Sequence, residues 1–493
     1  MDEYLEAGLV DLRRVLTWAL ITPKSSETVL QSHGTVWVVK PRGDRRHLGS
    51  SSDIVNGEAS VWVVQQGSKK KVGLVNQNGF RLNWTKKLLL SVLVGLGVIG
   101  FTPEACGWDW PAWRGLKGDG INHDPQQPPT TWSEADNIKW SSPVRGKGHG
   151  SPIVVGDQVI LATADLESDV QTLLSLERGT GKKLWQCVIH EGGLRVEGNK
   201  KASLASSTPY CDGERIYINF LNNGAAYASG VSLRGELIWQ KKITDYTVHQ
   251  GYGSSPRVYG ELVIFAADNK GGGAIVALQR ETGELKWQIN RPKEPNYTSP
   301  VIVRAAGKDQ LIFSGCDLVT SLNPATGEMF WQIPGATTEC VTTSVTDGQR
   351  IFTSGGYPKN HVSAVEADGS GKVAWENNVR VYVPSMILEN GHLYAVADAG
   401  IALCWNSETG KELWKKRLGG TFSGSPVMVR NRIYVTNEEA TTYVFDVSPE
   451  AFKLIATNRL GEESLSTPAI SQGEIFLRYA VYDGEKRLEY LAC

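Results

Sequence analysis

The chain has no adjacent pair of cysteines, no Cys-x-x-Cys and no Cys-x-x-Cys-His. Its seven cysteines, at 106, 187, 211, 316, 340, 404 and 493, are spaced too irregularly for a zinc ribbon or a haem attachment site. Cys187–Cys211 and Cys316–Cys340 are the pairs open to bridging, with buried free thiols as the other reading. No Ser-His-Asp order, phosphate-binding loop or dinucleotide element stands out, so hydrolase and nucleotide chemistry have no positive support. Lys and Arg number 51 against 52 Asp and Glu, a formal net charge of −1. With no basic stripe and no long run of like charge, nucleic acid and a charged membrane surface are not expected as partners. The apolar run from Leu88 to Phe101 is fourteen residues, short of the ~20 that a membrane-spanning helix needs.

What the chain has is glycine, 53 residues of it, and a repeat. A phrase of an apolar stretch, a Thr-Gly or equivalent turn, a charged pair and tryptophan ends at Trp185, Trp239, Trp287, Trp331, Trp375 and Trp414. A second phrase alternates with it: Ser/Thr-x-Pro, a few apolar residues, Gly or Asn, then an Ile/Val-rich run. Its proline or equivalent falls at Pro152, Pro209, Pro256, Pro300, Ser344, Ser385, Pro426 and Pro468. A period of ~40–55 residues marks a unit that cannot bury its apolar faces alone and must stack on neighbours.

The second phrase holds two short strands, A and B; an apolar C strand and the Trp-bearing D strand complete an antiparallel blade. Eight phrases predict an all-β, eight-bladed propeller over 137–493. The last unit stops after its third strand, and the missing fourth lies at the other end of the domain, around Trp140. Pairing of that strand to the C-terminal three closes the ring and leaves no open sheet edge. The tryptophans, Trp140 included, are read as structural, each packing between neighbouring sheets and burying ~150–250 Å².

Ahead of the propeller, residues 1–85 are read as an unstructured or mis-annotated extension. Translation starting near Val75 or Leu82 from a non-AUG codon is one account, and a cytoplasmic segment ahead of a signal anchor is the other. Residues 86–106 are read as a signal peptide or signal anchor, because Lys86-Lys87 and the apolar run have the make-up of an export signal. Cys106 raises lipidation, although only Ala105 of the preceding residues matches a lipobox. Residues 107–136 form a lead-in segment.

The repeats resemble the pyrroloquinoline-quinone (PQQ) propeller repeat, Ala/Leu-x-Asp/Asn-x-x-Thr-Gly-x-x-x-Trp. Leu322 to Trp331 and Cys404 to Trp414 fit it closely, and the likeness runs from near Trp140 to the C-terminus. The lead-in WPAWRGLKGDG at Trp110–Gly120 is similar to that of exported PQQ-like proteins of the planctomycete type, grouped with the BamB family of envelope lipoproteins that scaffold protein partners. This resemblance implies an exported, periplasmic or envelope-associated monomeric propeller, attached to a membrane only through 88–101 or a lipid at Cys106, with a protein partner. The quinoprotein alcohol dehydrogenases share the repeat and hold PQQ with Ca²⁺, an alternative that implies oxidation of an alcohol or sugar. They resemble one another in a vicinal disulfide, which this chain lacks. No cofactor, metal or catalytic residue is therefore expected, and a glycan- or peptide-binding sensor is a third reading.

In such blades the D–A and B–C loops emerge on one face. The D–A loops place His149, Tyr252, Tyr297, Tyr382 and Phe422 around the channel mouth, and the B–C loops supply Asp165, Asp268, Asp317, Asp398 and Glu438. An aromatic ring interleaved with carboxylates suits an extended peptide, a partner loop or a sugar; the bland reading has the aromatics filling the channel and the carboxylates capping turns. Arg145 and Lys147 are candidates for anion binding. His149 and His249 both stand near A-strand entrances, but spacing assigns them no third metal ligand or catalytic partner.

Overall fold

Alternating apolar residues and tight turns force short antiparallel strands, and the computed structural model contains no helix among its described residues. These are residues 109–493 and the backbone of four strands near the N-terminus. The apolar run 88–101 and Cys106 lie outside them. The chain divides into two compact units, Met1–Gly100 and Phe101–Cys493. In the first, Thr28–Ser32, Thr35–Pro41, Ala59–Gln65 and Ser68–Val72 pair in that order as an antiparallel sheet, in the stretch where the sequence offers only two short valine–tryptophan runs.

The second unit is the eight-bladed propeller. Blade one runs Ile153–Val155, Gln158–Asp165, Val170–Glu177 and Lys183–Glu191, and six more blades repeat that order. In blade eight, Ala469–Ser471, Glu474–Asp483 and Lys486–Ala492 are completed by Ser141–Val144 from the other end of the domain. The register Glu489↔Val144 to Ala492↔Ser141 closes the ring, and the Cys493 amide donates to the Trp140 carbonyl at 3.0 Å.

The tryptophans hold blade to blade. Trp239 of blade two donates its indole N–H to the Arg280 carbonyl of blade three at 3.0 Å, and Trp375 and Trp414 reach Ser407 and Ser448 in the same way. The rings of Trp239 and Trp375 lie on a glycine of the next blade's turn, and that of Trp414, where the turn has no glycine, lies against Phe452. A Cβ added to Gly283, at φ +69, would stand 2.7 Å from Trp239, so both backbone conformation and contact require glycine there. In seven blades a β-bulge falls just ahead of the tryptophan position, as between Leu285 and Trp287, and turns the ring toward the neighbour. Blade seven has Ala456 at that position. The reason is topological: blade eight has no covalent C–D turn for a tryptophan to cover, and Trp132 of the lead-in joins the apolar cluster there.

A second ring explains the Ser/Thr ahead of each proline. Backbone N–H groups donate to the hydroxyl of the next blade, from Ser151 to Thr208, Thr208 to Ser255 and Ser255 to Ser299, then from Thr343 through Ser385, Ser425 and Thr467 back to Ser151. Ser385 fills the hydroxyl position of blade six, so Met386 takes the place of the proline. That corrects the alignment read from the sequence, which put Ser385 there.

The lead-in is not a loose linker. It spans the ring at the end that carries the A–B turns. Trp110 bridges to Val154, Ile121–Asn122 pairs parallel to Val427–Val429, and Asn122 donates to the Ile470 carbonyl. Arg114, 1% exposed, donates to the carbonyls of Gly118 and Asp119 and to that of Met386 in blade six. Trp113 donates to Thr343 at 2.8 Å.

Two half-buried histidines set an acid limit. His190 packs against Phe220 and Tyr227, with ring centroids 6.2 and 5.1 Å away, and burial pushes its imidazole from 6.5 down to about 4. His149 is also held well below 6.5, by burial and then by Lys147, Arg478 and Arg487. The fold thus favours the neutral rings while the unfolded chain takes protons near 6.5. Stability should be complete above that pH and decline as pH falls toward 4. Melting curves between about pH 7.5 and 4.5 should show this decline, and His190→Phe should flatten it. An unchanged slope in that variant would assign the decline elsewhere.

Candidate functional site

The end of the ring opposite the lead-in is open, and the D–A and B–C loops meet there. Phe422 N–H donates to the Asp398 carbonyl, and Tyr382 N–H donates to the Asp398 carboxylate at 2.8 Å. The axial channel ends in a cavity of about 260 Å³, closed inward by Trp113 and lined further out by His149, Lys201 and Tyr297.

The five D–A aromatics do not form one exposed ring. Phe422 is buried, and Tyr252, 9% exposed, donates its hydroxyl to the Ala266 carbonyl. His149, Tyr297 and Tyr382 are half-buried. Tyr382 donates to Glu339 at 3.1 Å, and burial followed by that carboxylate raises its phenol pKa. Tyr297 accepts from the Gln250 amide, and its phenol is raised by burial and then by Glu339.

The B–C carboxylates separate in the same manner. Asp317 is exposed and meets Thr338. Glu438 pairs with Lys201 at 2.6 Å, an ion pair that ties the 193–205 loop to blade seven across the mouth. Asp398 is raised above the ordinary carboxylate range by burial, against the two amides it accepts from. Asp165 pairs with Arg145 at 2.6 Å; burial pushes it up, but Ser168, the Glu167 amide and Arg145 together leave it lowered. Asp268 points inward to Arg291 and is part of the core. Arg145 is thus neutralised by its neighbour. Among the described residues Lys147 has no ion-pair partner within 4 Å, and burial followed by Arg487 lowers its pKa.

His149 and His249 are not brought together by any hydrogen bond. His249 pairs with Glu339 at 3.0 Å, and Glu339, only 3% exposed, joins it to Tyr382 across three blades. Sequence reading missed Glu339 because its phrase, TTEC, carries no repeat letter. Among the described residues no three His, Cys, Asp or Glu are grouped to hold a metal ion, and six cysteines are free thiols, Cys187, Cys211, Cys316 and Cys340 among them.

The family profile described as outer membrane protein assembly factor BamB matches residues 130–250, 199–405 and 358–449, together more than half of the chain. The BamB of Burkholderia pseudomallei is 27% identical over 297 residues, covering 56% of this chain and 68% of that protein. A tetrathionate hydrolase of Acidithiobacillus ferrooxidans is 22% identical over 369 residues, 66% of this chain and 70% of its own. Among solved structures, the quinohemoprotein alcohol dehydrogenase of Comamonas testosteroni superposes with a TM-score of 0.57 at 12% identity, over 78% of this chain and 80% of that one. At such identity the likeness is one of fold.

Proposed function

We propose that this chain, which belongs to the family of outer membrane protein assembly factor BamB, is a non-catalytic scaffold of the cell envelope that holds a protein partner on its open loop face. The observation that carries the reading is the asymmetry of the ring. One end is sealed by the lead-in, while the other presents Tyr297, Tyr382, Asp317 and the Lys201–Glu438 pair around a shallow well. Half-buried aromatics with polar neighbours are the make-up of a protein-binding surface.

The quinoprotein alternative is weaker on the donor set. Calcium takes six to eight oxygen ligands, typically from carboxylates and amides, and the rim carboxylates are already committed to Lys201, Arg145, Thr338 or backbone amides. A tricarboxylate quinone would find one lysine in the well, Lys201, and that one is paired. Export to the envelope is part of the same proposal.

The test is site-specific photo-crosslinking in the native envelope. A crosslinker at Tyr382 or Lys201 should capture one defined protein, and one at Glu261 or Asp347, on the A–B turns, should not. Tyr382→Ala should weaken the captured complex by ~10-fold or more. Equal capture from both ends of the ring would sink the face assignment. Saturable binding of PQQ with Ca²⁺ would move the function to the dehydrogenase reading.

A further inference from the structure

We propose that a second cavity on this face, set off the axis over blade two, binds a small aromatic carboxylate that carries an O–H or N–H donor at the end remote from its charge. The cavity measures about 490 Å³, within the ~300–1,000 Å³ of ligand pockets. Its walls come from the 193–205 loop, the B–C loop of blade two and the D–A loop that follows it. Phe220, Tyr246 and Tyr252 supply aromatic surface, and Leu204 and Val248 add apolar surface.

The specific feature is Asn219, 1% exposed and part of the lining. Its amide nitrogen donates to the Tyr252 hydroxyl and, at 2.9 Å, to the Ser254 carbonyl. Its amide oxygen has no partner. The two tyrosine hydroxyl protons of the lining are spent, Tyr252 on the Ala266 carbonyl and Tyr246 on the Gly251 carbonyl. A buried acceptor with no donor is costly to leave unmade, so a ligand that supplies an O–H or N–H there gains what the empty site lacks.

The charge preference comes from the rim. Lys147, Arg195 and Lys200 line the cavity, and none has an ion-pair partner within 4 Å among the described residues. Lys147 is itself half-buried, so an anion beside it restores what burial has taken from the ammonium. Glu197 is the opposing carboxylate on the lining, and it leaves an excess of positive charge. Tyr297 and Tyr382 do not line this cavity. It shares Asn199, Ala202, Ser206, Gly251 and Tyr252 with the axial well, but Lys147 and Asn219, which carry the proposal, line it and not the well.

The experiment is calorimetric titration of the full chain with three probes: 4-hydroxyphenylacetate, phenylacetate and 4-hydroxyphenylacetamide. The first should bind with 1:1 stoichiometry. Phenylacetate, which lacks the donor, and the amide, which lacks the charge, should each bind ~10-fold more weakly. Lys147→Ala should erase the acid–amide difference while keeping the preference for the hydroxyl, and Tyr382→Ala should leave all three affinities unchanged. Equal binding of 4-hydroxyphenylacetate and phenylacetate would remove Asn219 from the site. An unaltered acid–amide ratio in the Lys147 variant would remove the anion. Absence of heat with all three probes at millimolar concentration would mean a cavity that holds water alone, with the partner reading left intact.

Discussion

Replacing Trp140 by alanine is expected to destabilise the propeller by about 3–5 kcal/mol, the most of any of the seven repeat tryptophans. Trp140 is 8% exposed, donates to the Arg178 carbonyl of blade one at 2.8 Å, and lies 6.1 Å from Phe476. A cavity opened at any of these positions loses transfer energy and contacts. At the other six, the strand stays attached through its own C–D hairpin and the site can partly collapse. The strand that follows Trp140 has no hairpin to Lys486–Ala492; its ladder, this ring and the Ser141–Tyr479 and Ser142–Gly181 hydrogen bonds hold it. In Trp140→Ala the melting temperature should fall by at least ~5 °C, with early proteolysis between 136 and 146. Trp287→Ala is the comparison, since that indole N–H has no partner to lose. Equal losses in the two variants would show that the joint is no weaker than an ordinary blade. A chain that begins at Gly146 is the limit: Lys486–Ala492 becomes an unpaired edge, and self-association is expected.

The blade count and the closing strand were legible because every blade solves one packing problem with the same letters. A glycine that must admit a neighbour's indole, and a hydroxyl that must accept a neighbour's amide, recur wherever the ring recurs. Departures from the repeat were not legible. Ala456 replaces tryptophan because of what blade eight lacks, which no local window around residue 456 displays. Ser385 was set one place off because blade six has no proline after its hydroxyl residue, and only the hydroxyl ring fixes the alignment. The contacts of the lead-in were not legible either, since its side chains reach blades far along the chain, as from Asn122 to Ile470 with a separation of 348.

The loop face shows the same limit. Asp268 and Asp317 look alike in sequence, each at the end of a B strand and each rated as a rim carboxylate. What separates them is Arg291, which enters from the D strand 23 residues after Asp268 and lies 4.9 Å over the Phe313 ring. A period-2 pattern states which face a strand residue occupies. It does not state where a loop carboxylate turns, because that depends on a cation supplied by another element.

Asp268→Ala should therefore behave as a folding variant and not as a binding variant, with a loss of about 3–5 kcal/mol. The carboxylate meets the Arg291 guanidinium at 3.1–3.3 Å and accepts from Asn296 at 3.1 Å, with both ion-pair side chains at most 2% exposed. Burial alone would lower the arginine's pKa; Asp268 outweighs it and leaves the guanidinium raised. Without the carboxylate a charge stays buried with no counter-ion, which is far worse than removing the pair together. Asp268→Leu combined with Arg291→Met should accordingly recover most of the stability that Asp268→Ala loses. Asp317→Ala, at an exposed site, should change stability by no more than ~0.5 kcal/mol. Denaturant unfolding of the three variants beside the parent decides it. If Asp268→Ala unfolded like the parent yet lost the crosslinked partner, the carboxylate would be a contact residue after all, and the inward pair would be a feature of the free protein alone.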